Sequence, residues 1–431
     1  MTVRPDYDVA IVGASLAGCT AAILLARSGA QVALIEKSPD PKGYKRICTH
    51  FIQSSGIRPL ERIGLIEPMM RAGALRSRPS AWTRWGWVQP SPNSPVPSGI
   101  NLRRERLDPM IREAAAATPG VELILGHTVT ELTYDGPRVS GVRARDPHEQ
   151  TLELRARLVV GADGRGSRVA KLAQVKAKTA PHGRFAYGAY FEGPKPACFP
   201  NSALYLLDPD MVGAFPTDSH LTLYAVMPAM SHLPEFRKDP AGALQRFVAA
   251  IPEAPPIAES RMVGDMTGKI DMTNVINTPT APGLALVGDA ASAVDPLWGV
   301  GCGFALQSSE WLSDSLAPAF AEQEPLEHGL RRYRRRHSRG LKGHTRTILD
   351  YATGRKINPG ERLFFSAATY DDRTARVFEA FGSRHIGPAR MLATGMPAAA
   401  LATGRRAIAQ RRGSQPDRPP VPQAGSGVSQ P

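Results

Sequence analysis

The sequence has few of the residues that stabilise secreted or membrane-spanning proteins. Only four cysteines occur among its 431 residues, and none forms a Cys-x-x-Cys pair, so neither a disulfide framework nor a zinc site is predicted. No apolar run approaches the ~18 residues that a membrane span requires. A strand pattern begins within a few residues of the N-terminus, which leaves no room for a cleavable signal peptide. We therefore expect a cytoplasmic enzyme without a transmembrane segment.

Basic residues, in contrast, are in excess. Lysine and arginine number 53 against 39 acidic residues, which gives a formal net charge of +14. Much of the excess lies in Arg331–Arg346 and in the arginines after position 404. A solvated helix face explains the first cluster, with an acidic partner or peripheral contact with a membrane surface as the alternative. No aromatic platform accompanies the charge, so nucleic-acid binding is not predicted.

The N-terminal 37 residues contain a strand, a glycine-rich turn, a helix, a second strand and an acid in that order. Gly13 permits the turn, and Gly18 lets the helix pack closely on the sheet. Ser15 replaces the usual middle glycine but is small enough to keep the backbone near a phosphate. Glu36 is placed to accept hydrogen bonds from a ribose. The pattern predicts an adenine dinucleotide site, for either FAD or NAD, formed by Gly13, Ser15, Leu16, Ala17, Gly18, Glu36 and Lys37.

Two later motifs narrow the choice of ligand. The second motif is Gly161-Ala-Asp-Gly164, which contains Asp163. The third begins at Gly288-Asp289 and continues through Asp295-Pro296 to a glycine-rich stretch ending at Gly303. Together with the first motif, this series resembles that of the flavoprotein monooxygenase superfamily, the p-hydroxybenzoate hydroxylase-like FAD enzymes, which also include geranylgeranyl reductases and flavin-dependent halogenases. The resemblance covers about residues 7–340.

The resemblance implies an α/β fold with three parts. A Rossmann-like FAD-binding domain would occupy residues 1–175 and 281–345, and a mostly antiparallel β-sheet substrate domain would be inserted at 176–280. A helical C-terminal region would follow at 346–403. The composition of residues 404–431, rich in Pro, Gln, Ser, Gly and Arg, predicts a disordered tail.

The resemblance also implies further cofactor contacts. Arg46 and Arg104 fall where such enzymes place arginines near FAD, and a guanidinium meets phosphate oxygens bidentately. A surface ion pair is the alternative for each arginine. Asp289 would accept a hydrogen bond from the ribityl chain, and the glycine-rich stretch would let backbone amides approach the flavin. The remaining implied contacts are Val129, Asp163, Pro296, Gly299, Gly301, Cys302 and Gly303.

The leading functional hypothesis from this resemblance is a monooxygenase. NAD(P)H would reduce FAD, and a flavin C4a-hydroperoxide would hydroxylate or epoxidise a small, largely apolar molecule of aromatic, polyketide or terpenoid-like character. No second dinucleotide fold is visible, so nicotinamide would bind transiently, or another donor would reduce the flavin. The alternative is a reductase or dehydrogenase acting on carbon–carbon double bonds, which Asp295-Pro296 favours. The oligomeric state is left open.

Two other functions have less support. Trp85 to Pro90 loosely echoes a halogenase motif, but its isoleucine is missing and it precedes the second motif, so its tryptophans are interpreted as packing residues. A non-catalytic flavin-binding protein would be expected to carry an output domain, and none is recognisable. His50, Phe215 and Trp298 are candidate pocket residues, with a structural or packing role as the alternative for each. Cys302 is interpreted as a small residue ahead of a helix.

Overall fold

The computed structural model describes residues 6–412 of the chain. Its strands, in chain order, are β1 Tyr7–Val12, β2 Val32–Glu36, β3 Phe51–Ile52, β4 Leu75–Ser77, β5 Ser80–Thr83, β6 Gly86–Val88, β7 Gly99–Asn101, β8 Val121–Leu125, β9 Thr128–Asp135, β10 Arg138–Arg145, β11 Thr151–Gly161, β12 Ala177–Ala180, β13 Ala186–Glu192, β14 Ala203–Leu206, β15 Met211–Pro216, β16 Thr222–Met227, β17 Arg261–Lys269, β18 Asn274–Asn277, β19 Thr280–Ala281, β20 Leu284–Leu286 and β21 Ser292–Ala293. Its α-helices are α1 Leu16–Ala26, α2 Ile57–Ile63, α3 Ile66–Arg71, α4 Arg104–Ala116, α5 Arg168–Leu172, α6 Leu233–Lys238, α7 Pro240–Ala249, α8 Gly301–Phe320, α9 Leu326–Ala352, α10 Pro359–Ala368, α11 Asp372–Gly382 and α12 Pro388–Arg411.

A largely parallel sheet positions the three glycine motifs. Its strands run in the order β19-β20-β11-β1-β2-β8, with β10 and β9 added antiparallel beside β11. β1 lies between β11 and β2 and is parallel to both. Every residue of α1 is buried, because this helix is apolar on all sides and packs between the sheet and α8. The carboxyl ends of β1, β11 and β20, which precede the three motifs, therefore meet at one edge of the sheet.

A second sheet has seven strands in the order β17-β13-β16-β15-β14-β5-β6. All its pairs are antiparallel except β14 with β5. The predicted insertion at 176–280 supplies five of these strands, but β5 and β6 come from residues 80–88, well before it. The predicted substrate domain at 176–280 is therefore incomplete, since its sheet also includes residues 80–88. The pairing of Ala203 with Ser80 joins distant parts of the chain, so no local sequence signal predicts it. Trp82 and Trp87 pack in the core of this sheet.

The C-terminal region is helical, but its boundaries differ from those predicted. The division at 345/346 falls inside α9, whose buried stripe includes Leu330, Tyr333 and Leu341. α12 continues past position 404 to Arg411, so the first eight residues of the predicted tail are helical. Alanine, leucine and arginine dominate this stretch and favour a helix, although its basic composition suggested disorder. The rest of the predicted tail, beyond 412, lies outside the described residues.

Residues 6–412 contain neither a candidate membrane span nor a candidate metal cluster. No helix there is long and apolar enough to cross a lipid bilayer. Nor is any group of three or more His, Cys, Asp or Glu side chains arranged to hold a metal ion.

His337, on the buried stripe of α9, should make the stability of the fold depend on pH. Its ring packs edge-on against Tyr333, and burial lowers its pKa to about 4. Because the folded-state pKa lies below the unfolded value, this histidine costs no stability above pH ~6.5, and stability falls as the pH drops towards 4. Between pH 7 and pH 5 the expected loss is about 2 kcal/mol.

Urea denaturation of the wild type and of His337→Phe at the two pH values measures this effect. Phenylalanine keeps the ring volume but binds no proton, so the variant should lose about 2 kcal/mol less than the wild type on acidification. His127→Phe is the control, since that ring is not in the buried stripe. Equal losses in the wild type and in His337→Phe would rule out this role.

Candidate functional site

At two positions around the turn between β1 and α1 there is room only for glycine. Gly13 has a φ of +105°, and a Cβ there would lie 2.6 Å from the carbonyl oxygen of Ala162. A Cβ on Gly18 would lie 1.8 Å from the oxygen of Gly13. Ser15 is the N-cap of α1, but its side chain makes no capping hydrogen bond. The first N–H groups of α1, including those of Leu16 and Ala17, are thus left without a side-chain cap, as a bound phosphate requires.

Two acidic residues lie at or just beyond the carboxyl ends of β2 and β11, the strands that flank β1 in the sheet. Glu36, at the end of β2, accepts hydrogen bonds from the N–H groups of Ala14 (2.8 Å) and Ser38 (3.0 Å), one on each carboxylate oxygen. Each oxygen keeps a second lone pair for a ligand hydroxyl. Asp163, by contrast, accepts from the Ser167 hydroxyl and the Val169 N–H and so holds the start of α5.

Arg104 is the buried cation of this edge. Its Nη2 donates to the Ser15 hydroxyl at 2.7 Å and lies 2.6 Å from Asp108 Oδ1. Burial opposes the charge, but Asp108 raises the pKa of Arg104 above its usual value. The guanidinium is therefore a fixed positive charge beside the N-cap of α1. Arg46 and Lys37, the other predicted cations, are exposed.

A second uncapped helix start lies at the third motif. α8 begins at Gly301, its N-cap Val300 has no side-chain hydrogen bond, and Gly299 before it has a φ of +62°. Nearby, Asp289 contacts Lys45 Nζ at 3.1 Å. Burial would raise the pKa of Asp289, but the positive charges of Lys45 and Arg165 hold it below its usual range. The carboxylate therefore stays ionised and able to accept hydrogen bonds. The other two predicted residues here, Cys302 and Gly303, form the next positions of α8.

His50 was predicted as a pocket residue, but it does not line the large cavity. Thr49 and Phe51, its neighbours in the chain, line the large cavity described below, and His50 is not part of that lining. Its Nδ1 accepts the backbone N–H of Arg104 at 3.0 Å, and its Nε2 lies 2.5 Å from the Tyr190 hydroxyl. Because Nδ1 accepts, the neutral ring carries its proton on Nε2. Burial lowers the pKa of His50, which keeps the ring neutral.

A cavity of about 770 Å³, including its open mouth, lies between the seven-stranded sheet and the third motif. Its wall is mainly apolar, and it includes two predicted residues, Phe215 and Trp298, together with Pro296 and Gly299. The titratable residue of this lining is Glu379, whose carboxylate is engaged by Arg78 through two hydrogen bonds of 2.8 and 2.9 Å. The apolar side chains of the sheet that face the cavity are Ala81, Val88, Leu204, Leu206, Met211, Phe215 and Met227.

Gln53 joins this cavity to the C-terminal helices. Its Nε2 donates to the carbonyl oxygens of Trp298 (2.7 Å) and Gly382 (2.8 Å), and its Oε1 accepts from Arg384 Nε at 2.7 Å. Trp298 and Gly382 also line a neighbouring cavity of about 250 Å³. The amide of Gln53 therefore links the loop of the third motif to the segment that follows α11.

A buried charged cluster anchors the same loop from the other side. Asp295 Oδ2 lies 2.8 Å from Arg184 Nη2 and 2.7 Å from His182 Nε2, and all three side chains are almost fully buried. Burial would raise the pKa of Asp295, but the hydrogen bond from His182 and the charge of Arg184 hold it below its usual range. The loop before Pro296 is thereby fixed against β12 and β13.

Several of these residues were not identified from the sequence. Gln53 carried no strand signal, because β3 has only two residues and His50 before it has a φ of +61°, which breaks the alternation. Tyr190 and Arg384 carried no local signal, since each joins the site through a distant contact. Val129, the predicted adenine contact, is buried in β9, and its carbonyl accepts from Arg168 at 3.2 Å.

The residues at this edge fit FAD. Two uncapped helix starts and the buried cation Arg104 could donate hydrogen bonds to a pyrophosphate, and Gly13 leaves the turn without a Cβ at its first residue. Glu36 and Asp289 are carboxylates that could accept hydrogen bonds from sugar and ribityl hydroxyls. The large cavity lies beyond Asp289, beside Pro296 and Gly299. The predicted contacts of the first and third motifs are therefore brought to one edge of the sheet.

Comparison with known proteins agrees with this arrangement. A digeranylgeranylglycerophospholipid reductase from Picrophilus torridus is 23% identical over 352 residues, which cover 77% of this chain and 82% of the reductase. A squalene epoxidase from Schizosaccharomyces pombe is 26% identical over 349 residues, which cover 73% of this chain and 70% of the epoxidase. The solved structure of the flavin-dependent brominase Bmp2 superposes with a TM-score of 0.73 at 19% identity and covers 94% of this chain and 99% of the brominase.

The decisive comparison is with a family profile. The profile of the FAD binding domain family matches residues 6–343, which contain all three glycine motifs. With the sheet topology, this match confirms the α/β fold and the FAD cofactor that the motifs imply. The chain belongs to the FAD binding domain family and is an FAD-dependent oxidoreductase.

Proposed function

We propose that the protein is a monooxygenase that uses NAD(P)H and dioxygen to hydroxylate or epoxidise a small, largely apolar substrate. The observation that carries the proposal is the apolar cavity of about 770 Å³ beside Pro296 and Gly299. Its mainly apolar lining with few polar groups is typical of small-molecule sites. Because the Glu379 carboxylate is already engaged by Arg78, the described lining favours a neutral substrate.

Bound FAD would supply two-electron redox chemistry and the reaction with dioxygen, which side chains do not provide. The chain would hold the cofactor through the residues of the first and third motifs and through Arg104. The apolar wall around Phe215 and Leu206 would orient the substrate and exclude water from it. His50 holds a proton at Nε2 against the Tyr190 hydroxyl, and this arrangement orients the tyrosine.

The second candidate is a reductase or dehydrogenase acting on carbon–carbon double bonds. The relative in Picrophilus torridus, a digeranylgeranylglycerophospholipid reductase, favours it, as does the sequence Asp295-Pro296. The same apolar cavity would suit an isoprenoid chain. The likeness to the brominase, at 19% identity, concerns the fold alone.

Oxygen stoichiometry separates the two candidates. With a panel of aromatic, polyketide and terpenoid compounds, a monooxygenase substrate should consume oxygen and NAD(P)H in equal amounts. One ¹⁸O atom from ¹⁸O₂ should appear in the product. Loss of a double bond without oxygen uptake would instead establish the reductase. Purified protein that contains no flavin and shows no spectral change when FAD is added would contradict both candidates.

Glu36→Gln should weaken binding of FAD but not of FMN, because FMN lacks the adenosine whose ribose Glu36 is proposed to hold. Loss of a charged hydrogen-bond acceptor should raise the FAD dissociation constant about tenfold. Quenching of flavin fluorescence measures both affinities. Glu131→Gln, an exposed carboxylate paired with Arg143, is the control and should bind FAD like the wild type. Equal weakening of FAD and FMN would argue against the ribose contact.

Leu206→Glu should impair substrate binding without loss of FAD. Leu206 lies on β14 and lines the large cavity, so a carboxylate there would meet an apolar substrate. The KM for a substrate from the panel should rise about tenfold or more, and the flavin content should stay at the wild-type level. Leu206→Met is the matched control and should change KM little. An unchanged KM in Leu206→Glu would place the substrate elsewhere.

A further inference from the structure

Two thiols that are 254 positions apart in the chain meet inside the FAD site. Cys48 Sγ lies 3.7 Å from Cys302 Sγ. Cys48 precedes β3 in the segment 41–50, and Cys302 is the second residue of α8. Cys302 is buried and Cys48 is half-buried. The two sulfur atoms are in direct contact, so no ligand lies between them.

The surroundings of this pair favour a thiolate on Cys48. Arg104 Nη1 lies 3.9 Å from each sulfur, and the backbone N–H of His50 points at Cys48 Sγ over 3.3 Å. The hydrogen bond from Cys302, together with the charge of Arg104, holds the pKa of Cys48 well below its usual range. The same hydrogen bond raises the pKa of Cys302. The pair therefore consists of a nucleophilic sulfur and a neighbouring thiol that can resolve it.

The other two cysteines lack these features. Cys19 is buried in α1, and burial raises its pKa. Cys198 is also buried, which raises its pKa to about 11. Both stay protonated near neutral pH, so they are internal controls for the reactivity of Cys48 and Cys302.

We propose that Cys48 and Cys302 are a site of reversible oxidation, at which hydrogen peroxide converts the two thiols into a disulfide. The Cys48 thiolate attacks one peroxide oxygen, the O–O bond breaks, and one proton is taken up to give a sulfenic acid and water. Cys302 then attacks the sulfenic sulfur, the S–S bond forms, and the hydroxyl leaves as water with the Cys302 proton. Overall, two thiols lose two electrons and two protons, and one peroxide becomes two waters.

The disulfide would fix the segment 41–50 across the cofactor site. The N–H of Lys45 donates to Asp108 at 2.9 Å, and its Nζ contacts Asp289 at 3.1 Å, so the segment reaches from α4 to the third motif. These contacts are non-covalent, so on this proposal they break to let FAD leave and re-form afterwards. A covalent bond to α8 removes that freedom. Oxidation should therefore slow the release of FAD, an inference that rests on FAD binding and not on the proposed reaction.

Peptide mapping of the intact FAD-bound protein tests the disulfide. After treatment with hydrogen peroxide, non-reducing digestion should give one cross-linked peptide containing Cys48 and Cys302, lighter by two hydrogens, which dithiothreitol reverses. Cys48→Ser and Cys302→Ser should each abolish it, and Cys19→Ser and Cys198→Ser should not. A sulfinic acid on Cys48 without a cross-link, a cross-link through another cysteine, or no change in mass overturns the proposal.

The rate of FAD release tests the consequence without any turnover. On dilution, free FAD regains its fluorescence, and the oxidised wild type should release it about tenfold more slowly than the reduced protein. Dithiothreitol should restore the faster rate, and Cys302→Ser should not respond to peroxide. A cross-linked protein that releases FAD at the reduced rate would overturn the role of the segment while leaving the disulfide itself in place. Because no substrate is used, neither result depends on whether the enzyme is a monooxygenase.

Discussion

A buried guanidinium on α4 connects several parts of the chain that form the predicted cofactor site. Arg104 projects from α4 and contacts the Ser15 hydroxyl at the start of α1, and Nη1 lies beside Cys48 and Cys302. Asp108, one turn later on the same helix, balances its charge. An isolated buried cation would be strongly destabilising, so the ion pair is a condition for bringing two helix starts and the segment 41–50 together. Arg112, on the next turn of α4, adds hydrogen bonds to the carbonyl oxygens of Ala14 and Gly43 and holds the same turn and segment.

Local patterns predicted the parallel sheet and its three motifs, because glycine turns and apolar strands are encoded by neighbouring residues. The strand, turn, helix and second strand predicted in the first 37 residues are such a case and correspond to β1, α1 and β2. Distant pairing could not be predicted in the same way: the join of β5 to β14, the contact of His50 with Tyr190, and the approach of Arg384 to Gln53 have no local signature. The composition of the chain after position 404 suggested disorder, but α12 extends to Arg411, because an alanine-rich helix can also be basic.

Part of the cavity wall comes from a region of the chain beyond the one that contains the three glycine motifs. The family match ends at residue 343, but Phe378 and Glu379 of α11 line the cavity. The dinucleotide site is therefore built from the shared domain, while part of the substrate wall is built from residues beyond it. Relatives that keep the same motifs would be free to accept different molecules, because changes in α11 leave the sheet edge intact.

The Gln53 amide has a consequence for communication inside the protein. Both of its N–H donors and its oxygen are in use, and they join Trp298 on the cofactor loop to Gly382 at the end of α11. A molecule that pushes α11 outward on entering the cavity must stretch these bonds or pull the loop with it. The Gln53 amide thus couples α11, at the wall of the cavity, to the loop of the third motif, so that a shift of one can change the position of the other.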